Sequence, residues 1–304
     1  PGSRRCRVRV RVGAVDAAAY PDRVIVTAPA SSANLGPGFD CLGLALDLPF
    51  GLSADEHPED WLAAEPTHPA AIAFVAAGGD PDAALWWRSP IPPGRGLGFS
   101  GAARVAGAYL ASRRTGAAHD TARTRAFQVA TELEGHPDNA AASAFGGFTV
   151  AAGTTARSLA MPEGVSIVVW SPERSTSTDA SRRVLADDVV LADAAWSLAR
   201  SSLWVAAVAT GDLSVLRVAC EDRLHQPSRL AARPDAASTL DAFLASEGVL
   251  AAWLSGSGPT VAALVSAGSA EQLADGLAQS DGRTRVLDVA AAGVRESADG
   301  TPST

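Results

Sequence analysis

The segment Pro92-Pro93-Gly94-Arg95-Gly96-Leu97-Gly98-Phe99-Ser100-Gly101-Ala102-Ala103 constrains this chain more than any other stretch. Three glycines fall within five residues, and a long apolar, helix-forming run follows. That is the layout of a loop whose backbone amides cradle phosphate and whose last turn opens a helix. The first N–H groups of a helix lack intrahelical partners and sit at the positive end of its dipole, so they suit an anion. Glycine lets the backbone come close to phosphate oxygens. The loop lacks the Gly-Lys-Ser/Thr ending of a Walker A motif, and the chain contains no lysine at all. Taken alone, the same pattern also describes an ordinary tight turn before a helix.

Composition narrows the choice. A chain of 304 residues with 47% hydrophobic content carries enough apolar surface for a sizeable core and for one or two domains. The net charge of −8 argues against nucleic acid as a partner. One local exception is the alternating run Arg4-Arg5-Cys6-Arg7-Val8-Arg9-Val10-Arg11, which reads as a strand with one charged face or as a loosely ordered arm. Cys6, Cys41 and Cys220 are widely spaced and odd in number, and the five histidines form no metal-type cluster, so neither a disulfide framework nor a zinc site is expected. No uncharged apolar run is long enough to span a membrane. A cytoplasmic protein is the expectation.

Along the chain, helix and strand signals are mixed and the strands are grouped, an α+β pattern. Strands are predicted at 23–27, 41–46, 85–88, 145–151, 165–170, 249–255, 260–265 and 284–290, and residues 51–68 read as irregular. Helices are predicted at 69–78, 99–114, 121–134, 193–210, 213–222 and 270–278. A division near 152–165 separates an N-terminal domain, 23–155, from a C-terminal one, 156–292. Residues 1–22 read as an N-terminal extension and 293–304 as a flexible tail.

Four segments then stand together: Ala28-Pro29-Ala30-Ser31-Ser32-Ala33-Asn34-Leu35-Gly36-Pro37-Gly38-Phe39-Asp40, the glycine loop, Glu132-Leu133-Glu134-Gly135-His136-Pro137-Asp138-Asn139, and Leu254-Ser255-Gly256-Ser257-Gly258-Pro259-Thr260. In this order and spacing they resemble the signature motifs of the GHMP small-molecule kinases. Together with Asp222-Arg223-Leu224-His225-Gln226-Pro227-Ser228-Arg229, the first and third are similar to the homoserine-phosphorylating branch of that family. The resemblance covers roughly residues 23–290. It implies an N-terminal domain like ribosomal protein S5 domain 2 and a ferredoxin-like C-terminal domain, with ATP and substrate between them. It also implies transfer of the ATP γ-phosphoryl group to the hydroxyl of L-homoserine in threonine biosynthesis, Mg²⁺ as cofactor, and a homodimer.

The resemblance assigns roles to individual residues. Pro93, Gly94, Arg95, Gly96, Leu97, Gly98, Phe99, Ser100 and Gly101 hold the nucleotide. Ser100 and Glu132 bind the metal, with Glu134 as a rival in sequence. Asn34, Asp40, His136, Arg182 and Arg229 bind the amino-acid substrate, Arg223 competing with Arg229 for the carboxylate. Arginine is the natural bidentate partner of a carboxylate. Thr178 and Arg182 fall near the reacting groups. Asn139 takes the place where mevalonate kinases carry a catalytic aspartate, with a one-residue ambiguity toward Asp138. An amide accepts no proton, so the implied reaction is direct attack by the hydroxyl with late proton loss, which a loose transition state permits. The family loop usually reads Gly-Leu-Gly-Ser-Ser-Ala-Ala; here Phe99 replaces the first serine and Gly101 an alanine, which reads as a packing compensation in which Gly101 makes space for the ring. Alternatives are a kinase of another hydroxy amino acid such as threonine, and an inactive binding protein of the same fold.

Overall fold

The computed structural model describes residues 24–54, 59–175, 178–277 and 282–297, the side chains of Thr178 and Asp179 excepted. The expected N-terminal extension, with Cys6 and its flanking arginines, lies outside the described residues.

In the N-terminal half, β1 (Ile25–Ala33) and β2 (Leu42–Ala54) pair antiparallel along their length, with a register shift between Pro29 and Ala30. Proline has no N–H for a ladder, so the irregularity falls where the sequence requires it. The residues 51–54, read as irregular, complete β2 and pair with β4 (Leu85–Arg88), which also carries the short β3 (Leu62–Ala63). Helix α1 (Pro69–Ala76) begins with proline at its first turn, and His68 caps it by accepting from the Ala70 N–H. The helix α2 (Phe99–Arg114) buries Ala102, Ala103, Val105, Ala106, Ala108, Leu110 and Ala111, small and apolar residues that permit close packing on α1 and α3 (His119–Glu134). Gly135 ends α3 in the left-handed conformation that favours glycine. α4 (Asp138–Phe145) then packs on β1 and β2, where sequence reading expected only a breaker before a strand.

The hairpin β5 (Phe148–Ala152) and β6 (Thr155–Leu159) joins the same sheet through β2. β6, which begins at the expected boundary near 155, thus belongs to this sheet. A C-terminal strand returns to this sheet as well.

In the second domain β7 (Val165–Ser171) is followed by α5 (Thr178–Arg182), α6 (Leu191–Thr210), α7 (Leu216–Ala219), α8 (Gln226–Ala231) and α9 (Pro234–Ala245). Then come β8 (Val249–Leu254), β9 (Val261–Ser266), α10 (Ala270–Gly276) and β10 (Arg283–Leu287). The strands lie in the antiparallel order β10-β7-β9-β8, the ferredoxin-like arrangement. Both faces of this sheet are buried, which the alternation of its residues divides cleanly. Ile167, Val169, Ala251, Trp253, Ala262 and Leu264 join one core with the N-terminal sheet and Trp204 of α6. Val168, Trp170, Ala252, Leu254, Ala263 and Val265 form a second with Phe243 of α9 and Leu273 of α10. The final β11 (Arg295–Ser297) pairs with β1, so residues expected in a flexible tail cover an edge of the first sheet. Among the described residues no helix is long and apolar enough to cross a membrane.

Candidate active site

The glycine loop lies where the two sheets meet. Gly96 and Gly98 have φ of +77° and +69°. A Cβ on Gly96 would stand 2.3 Å from the Ser255 carbonyl oxygen, and one on Gly98 would stand 1.9 Å from Ser31 Oγ. No side chain fits at either place, so the glycines serve the approach of the loop to β1 and to the Ser255–Thr260 turn as well as its own curvature. Ser255 Oγ donates to the Gly96 carbonyl at 2.6 Å and hydrogen-bonds Ser32 Oγ at 2.7 Å, while Trp253 Nε1 donates to Ser32 Oγ at 2.9 Å. Three distant segments are thereby tied into one buried polar network. Gly98 is the N-cap of α2 and offers no side chain to its first turn, which leaves those N–H groups open to an anion.

Beside the loop is a cavity of about 330 Å³ lined by Gly94, Arg95, Gly96, Gly98, Phe99, Ser100 and Gly101 from the loop side. Arg104, Leu133, Glu134, His136, Asn139, Gly256 and Ser257 close it. Two residues expected to hold the nucleotide are absent from this lining. Leu97 is buried in the core, its carbonyl accepting from Ser31 N–H, and Pro93 is exposed on the outer side.

Glu132, expected to bind the metal, does not line this cavity. It is exposed, whereas Glu134 faces the cavity and pairs with Arg104, which also donates to Ser100 Oγ. Residues two apart on a helix do not share a face, so only one of the two glutamates reaches the loop. Arg104 was not foreseen, although its spacing from Ser100, one helical turn, was readable. The Ser100 hydroxyl and Glu134 carboxylate are hard oxygen donors that converge on one guanidinium nitrogen, a donor set that fits Mg²⁺.

Phe99 turns its ring into an aromatic cluster. It meets Phe50, Trp87 and His68 edge-on at centroid distances of 5.6, 5.5 and 5.9 Å, the geometry the ring quadrupoles favour. His68 is kept neutral there, its pKa pushed down to about 4 by burial. Gly101 has a different reason from the expected one: a Cβ there would meet Asn139 Cβ at 3.0 Å, so the glycine accommodates α4 rather than Phe99.

Next to the cavity is a second, charged group of residues. Asn34 and Asp40 have φ of +71° and +54°, backbone conformations tolerated by Asn and Asp. Asn34 Oδ1 accepts from the Asp40 N–H at 3.0 Å, and its Nδ2 donates to the Gly256 carbonyl at 3.0 Å. Arg182, at the end of α5, donates to Asp40 Oδ1 at 2.7 Å. Arg229 of α8 is 3% exposed and donates to the same Gly256 carbonyl at 3.1 Å. The two guanidinium carbons lie 5.3 and 5.4 Å from the centre of the Phe39 ring. Burial first, and then the charge of Arg182, pushes the Arg229 pKa down to about 10. Its position is secured from below. His225 Nε2 donates to the Gly36 carbonyl at 2.7 Å, so Nδ1 accepts from Arg229 at 3.1 Å. Buried Asp222 accepts from the N–H groups of Leu224, His225 and Gln226.

Arg223 is thereby excluded from this group, for it pairs with Asp193 and stacks on Trp196. Thr178 begins α5, and its side chain lies outside the described residues. Arg104 was missed as a site residue, and Ser32, Phe39, Ser255 and Gly256 stood within the quoted motifs without an individual role; hydrophobic, backbone and network roles leave little local signal.

His136 links the two groups. Its Nδ1 donates to Asp138 Oδ1 at 2.9 Å, and suitable ligand atoms of Asp40, His136 and Asp138 lie within 4.8 Å of one another. Burial disfavours the charged imidazole, but the hydrogen bond and charge of Asp138, with Glu134 and Asp40, outweigh it and raise the pKa above 6.5. Asp138 is 2% exposed and also accepts from the Asn139 N–H at 2.7 Å. Asn139 faces the cavity, its Oδ1 accepting from Ser31 Oγ at 2.8 Å.

Comparison with known proteins agrees with this geometry. The family model for the GHMP kinases N terminal domain matches residues 67–147, and that for GHMP kinases C terminal matches residues 204–283. A homoserine kinase of Thermus thermophilus is 42% identical over 278 residues, covering 86% of this chain and 94% of its own length. One from Desulfitobacterium hafniense is 35% identical, covering 84% and 92%. Among solved structures, a homoserine kinase from Cytophaga hutchinsonii superposes with a TM-score of 0.75 at 22% identity, covering 91% of this chain and 98% of that one. A mevalonate kinase from Methanococcus jannaschii gives 0.63 at 14% identity, covering 88% and 98%. The structural likenesses carry the fold, and the curated relatives carry the branch: the chain belongs to the homoserine kinase family of the ATP-dependent GHMP kinases.

Proposed function

We propose that this protein transfers the γ-phosphoryl group of ATP to the hydroxyl of L-homoserine, supplying a phosphorylated amino acid for threonine biosynthesis. The observation that carries this reading is the Asp40–Arg182–Arg229 group, set at Gly256 on the rim of the glycine-loop cavity. A carboxylate in that group suits the substrate ammonium, and two guanidiniums suit its carboxylate. Mevalonate and sugars carry no ammonium for Asp40 to recognise.

The triphosphate fits the open N-terminus of α2 and the loop amides, with Arg95 beside them. Ser100 and Glu134 would hold Mg²⁺, which when bound neutralises charge on the phosphate oxygens. Arg104 keeps both side chains directed at the loop. Phe39 and the two arginines orient the substrate, and Asn139 lines the space between loop and substrate. Among the described residues no carboxylate is free to serve as a strong base there: Asp138 is buried and engaged by His136 and Asn139, Asp40 pairs with Arg182 and Glu134 with Arg104. The hydroxyl therefore attacks directly and loses its proton late, to the γ-phosphate or to solvent.

ADP release from Mg-ATP with homoserine, threonine and mevalonate tests the substrate. Turnover of homoserine alone is the expected result; turnover of threonine in preference to it overturns the reading. Retained activity in Asp138→Asn with lost activity in Asn139→Ala supports direct attack, and the reverse pattern refutes it.

The enzyme is read as cytoplasmic, in keeping with its free Cys41 and Cys220, and as a homodimer. The outer face of α6 supports the dimer: Leu191 and Leu198 are 83% and 70% exposed, and the exposed Ala195 and Ser202 continue their stripe.

A further inference from the structure

A second cavity, of about 370 Å³, shares Arg95 with the glycine-loop cavity and is lined by Pro92, Arg95, Ser171, Glu173, Arg283 and Arg285. It joins the two domains, because Pro92 and Arg95 belong to the loop while the others come from the end of β7 and from β10. Three guanidiniums face the single carboxylate of Glu173, on a chain whose overall charge is −8.

What distinguishes these three arginines is that they gather in one cavity without an ion pair to a described carboxylate. Arg104, Arg113, Arg123, Arg182, Arg200 and Arg223 each pair with a described carboxylate. Arg95, Arg283 and Arg285 have no ion pair with a described residue. Instead, Arg95 Nη1 donates to the Pro172 carbonyl at 2.5 Å and Arg285 Nη1 to the Pro90 carbonyl at 3.2 Å. Arg95 Nε is buried without a partner among the described residues. Carbonyl anchors fix the position of a guanidinium without neutralising it, and each fork keeps donors to spare. Arg95 and Arg285 are held in this way, and with Arg283 they bring three like charges to one cavity, whose mutual repulsion a bound anion relieves.

We propose that this cavity is a second anion site, taking a phosphate-bearing small molecule, distinct from the cavity that grips the nucleotide. Phosphate is the chemistry that planar arginine forks match bidentately. Arg95 lines both cavities, so occupancy of the second is communicated to the glycine loop through one side chain. The site does not depend on which alcohol is phosphorylated, and binding rather than turnover tests it.

The test is ³¹P NMR of inorganic phosphate titrated onto the protein already saturated with a non-hydrolysable ATP analogue and Mg²⁺. Saturable broadening of the phosphate signal is expected with the nucleotide in place. Arg283→Glu/Arg285→Glu should weaken phosphate binding about tenfold or more while leaving analogue affinity unchanged. Arg283→Gln, at an exposed position on an edge strand, should weaken it in the same direction if the double variant fails to fold. Acetate in place of phosphate should compete poorly. The proposal is overturned if phosphate shows no saturable binding to the loaded protein, if the variants leave phosphate binding unchanged, or if analogue affinity falls in parallel with it. That last result would make the cavity part of the nucleotide site.

Discussion

Replacing Arg229 with methionine separates stability from recognition in a way few site residues allow. The guanidinium is 3% exposed, shares its surroundings with Arg182, and has its pKa pushed down to about 10. One pKa unit corresponds to about 1.4 kcal/mol, so holding this charge in the free enzyme costs about 3 kcal/mol. Methionine removes that cost and fills similar volume against Phe39. It also removes donors from the Ser181 carbonyl, His225 Nδ1 and the Gly256 carbonyl. Gly256 retains Asn34 Nδ2, so two acceptors lose a partner at about 1–2 kcal/mol each. The terms nearly cancel, and the unfolding free energy from urea denaturation should stay within about 1–2 kcal/mol of the parent.

Recognition should change far more. A buried charge-assisted contact to the substrate carboxylate contributes about 2–4 kcal/mol, so kcat/KM for homoserine should fall by about 30- to 1000-fold. The KM for ATP should not move. 3-Aminopropan-1-ol, which lacks the carboxylate, provides the cross-check. The parent should discriminate against it by a similar factor, and Arg229→Met should lose most of that discrimination. Steady-state kinetics with both alcohols reads this directly. Undiminished kcat/KM for homoserine, or a loss that appears in the KM for ATP instead, would refute the reasoning.

Gly98→Ala should destabilise the protein by about 2 kcal/mol or more in urea denaturation, since φ is +69° and the new Cβ overlaps Ser31 Oγ; a change below about 0.5 kcal/mol contradicts this. Glu134→Gln should lower kcat by about tenfold or more and raise the Mg²⁺ requirement, while Glu132→Gln stays near the parent; equal effects of the two would return Glu132 to consideration. The raised pKa of His136 means that its charged form stabilises the fold fully below about pH 6.5, and that this contribution is lost as pH rises through the native pKa. Unfolding free energy of the parent relative to His136→Gln should therefore decline as pH rises above 6.5; a flat or rising difference refutes it. Leu198→Glu should turn a dimer into a monomer by light scattering, and an unchanged mass would move the interface elsewhere.

The chain's residues alone were enough for the glycine loop opening a helix and for the grouping of strands. Glycines spaced before an apolar helix, β-branched runs and proline or glycine breakers act locally, so the loop, α2 and most strands could be read without a partner. The resemblance of the motifs to the GHMP kinases added the two-domain architecture and the amino-acid substrate class. What depended on the assembled fold involved choices between neighbours. Glu134 rather than Glu132 faces the loop because the direction of α3 decides which side meets α2. Arg229 rather than Arg223 joins the charged group at Asp40 because α8 packs beneath the Ser255–Thr260 turn, while Arg223 finds Asp193 and Trp196. The second cavity needed β10 brought against the glycine loop from the other domain. Local propensity sets which elements form, whereas the burial of two faces of one sheet sets which side chains meet, and no spacing along the chain encodes that directly.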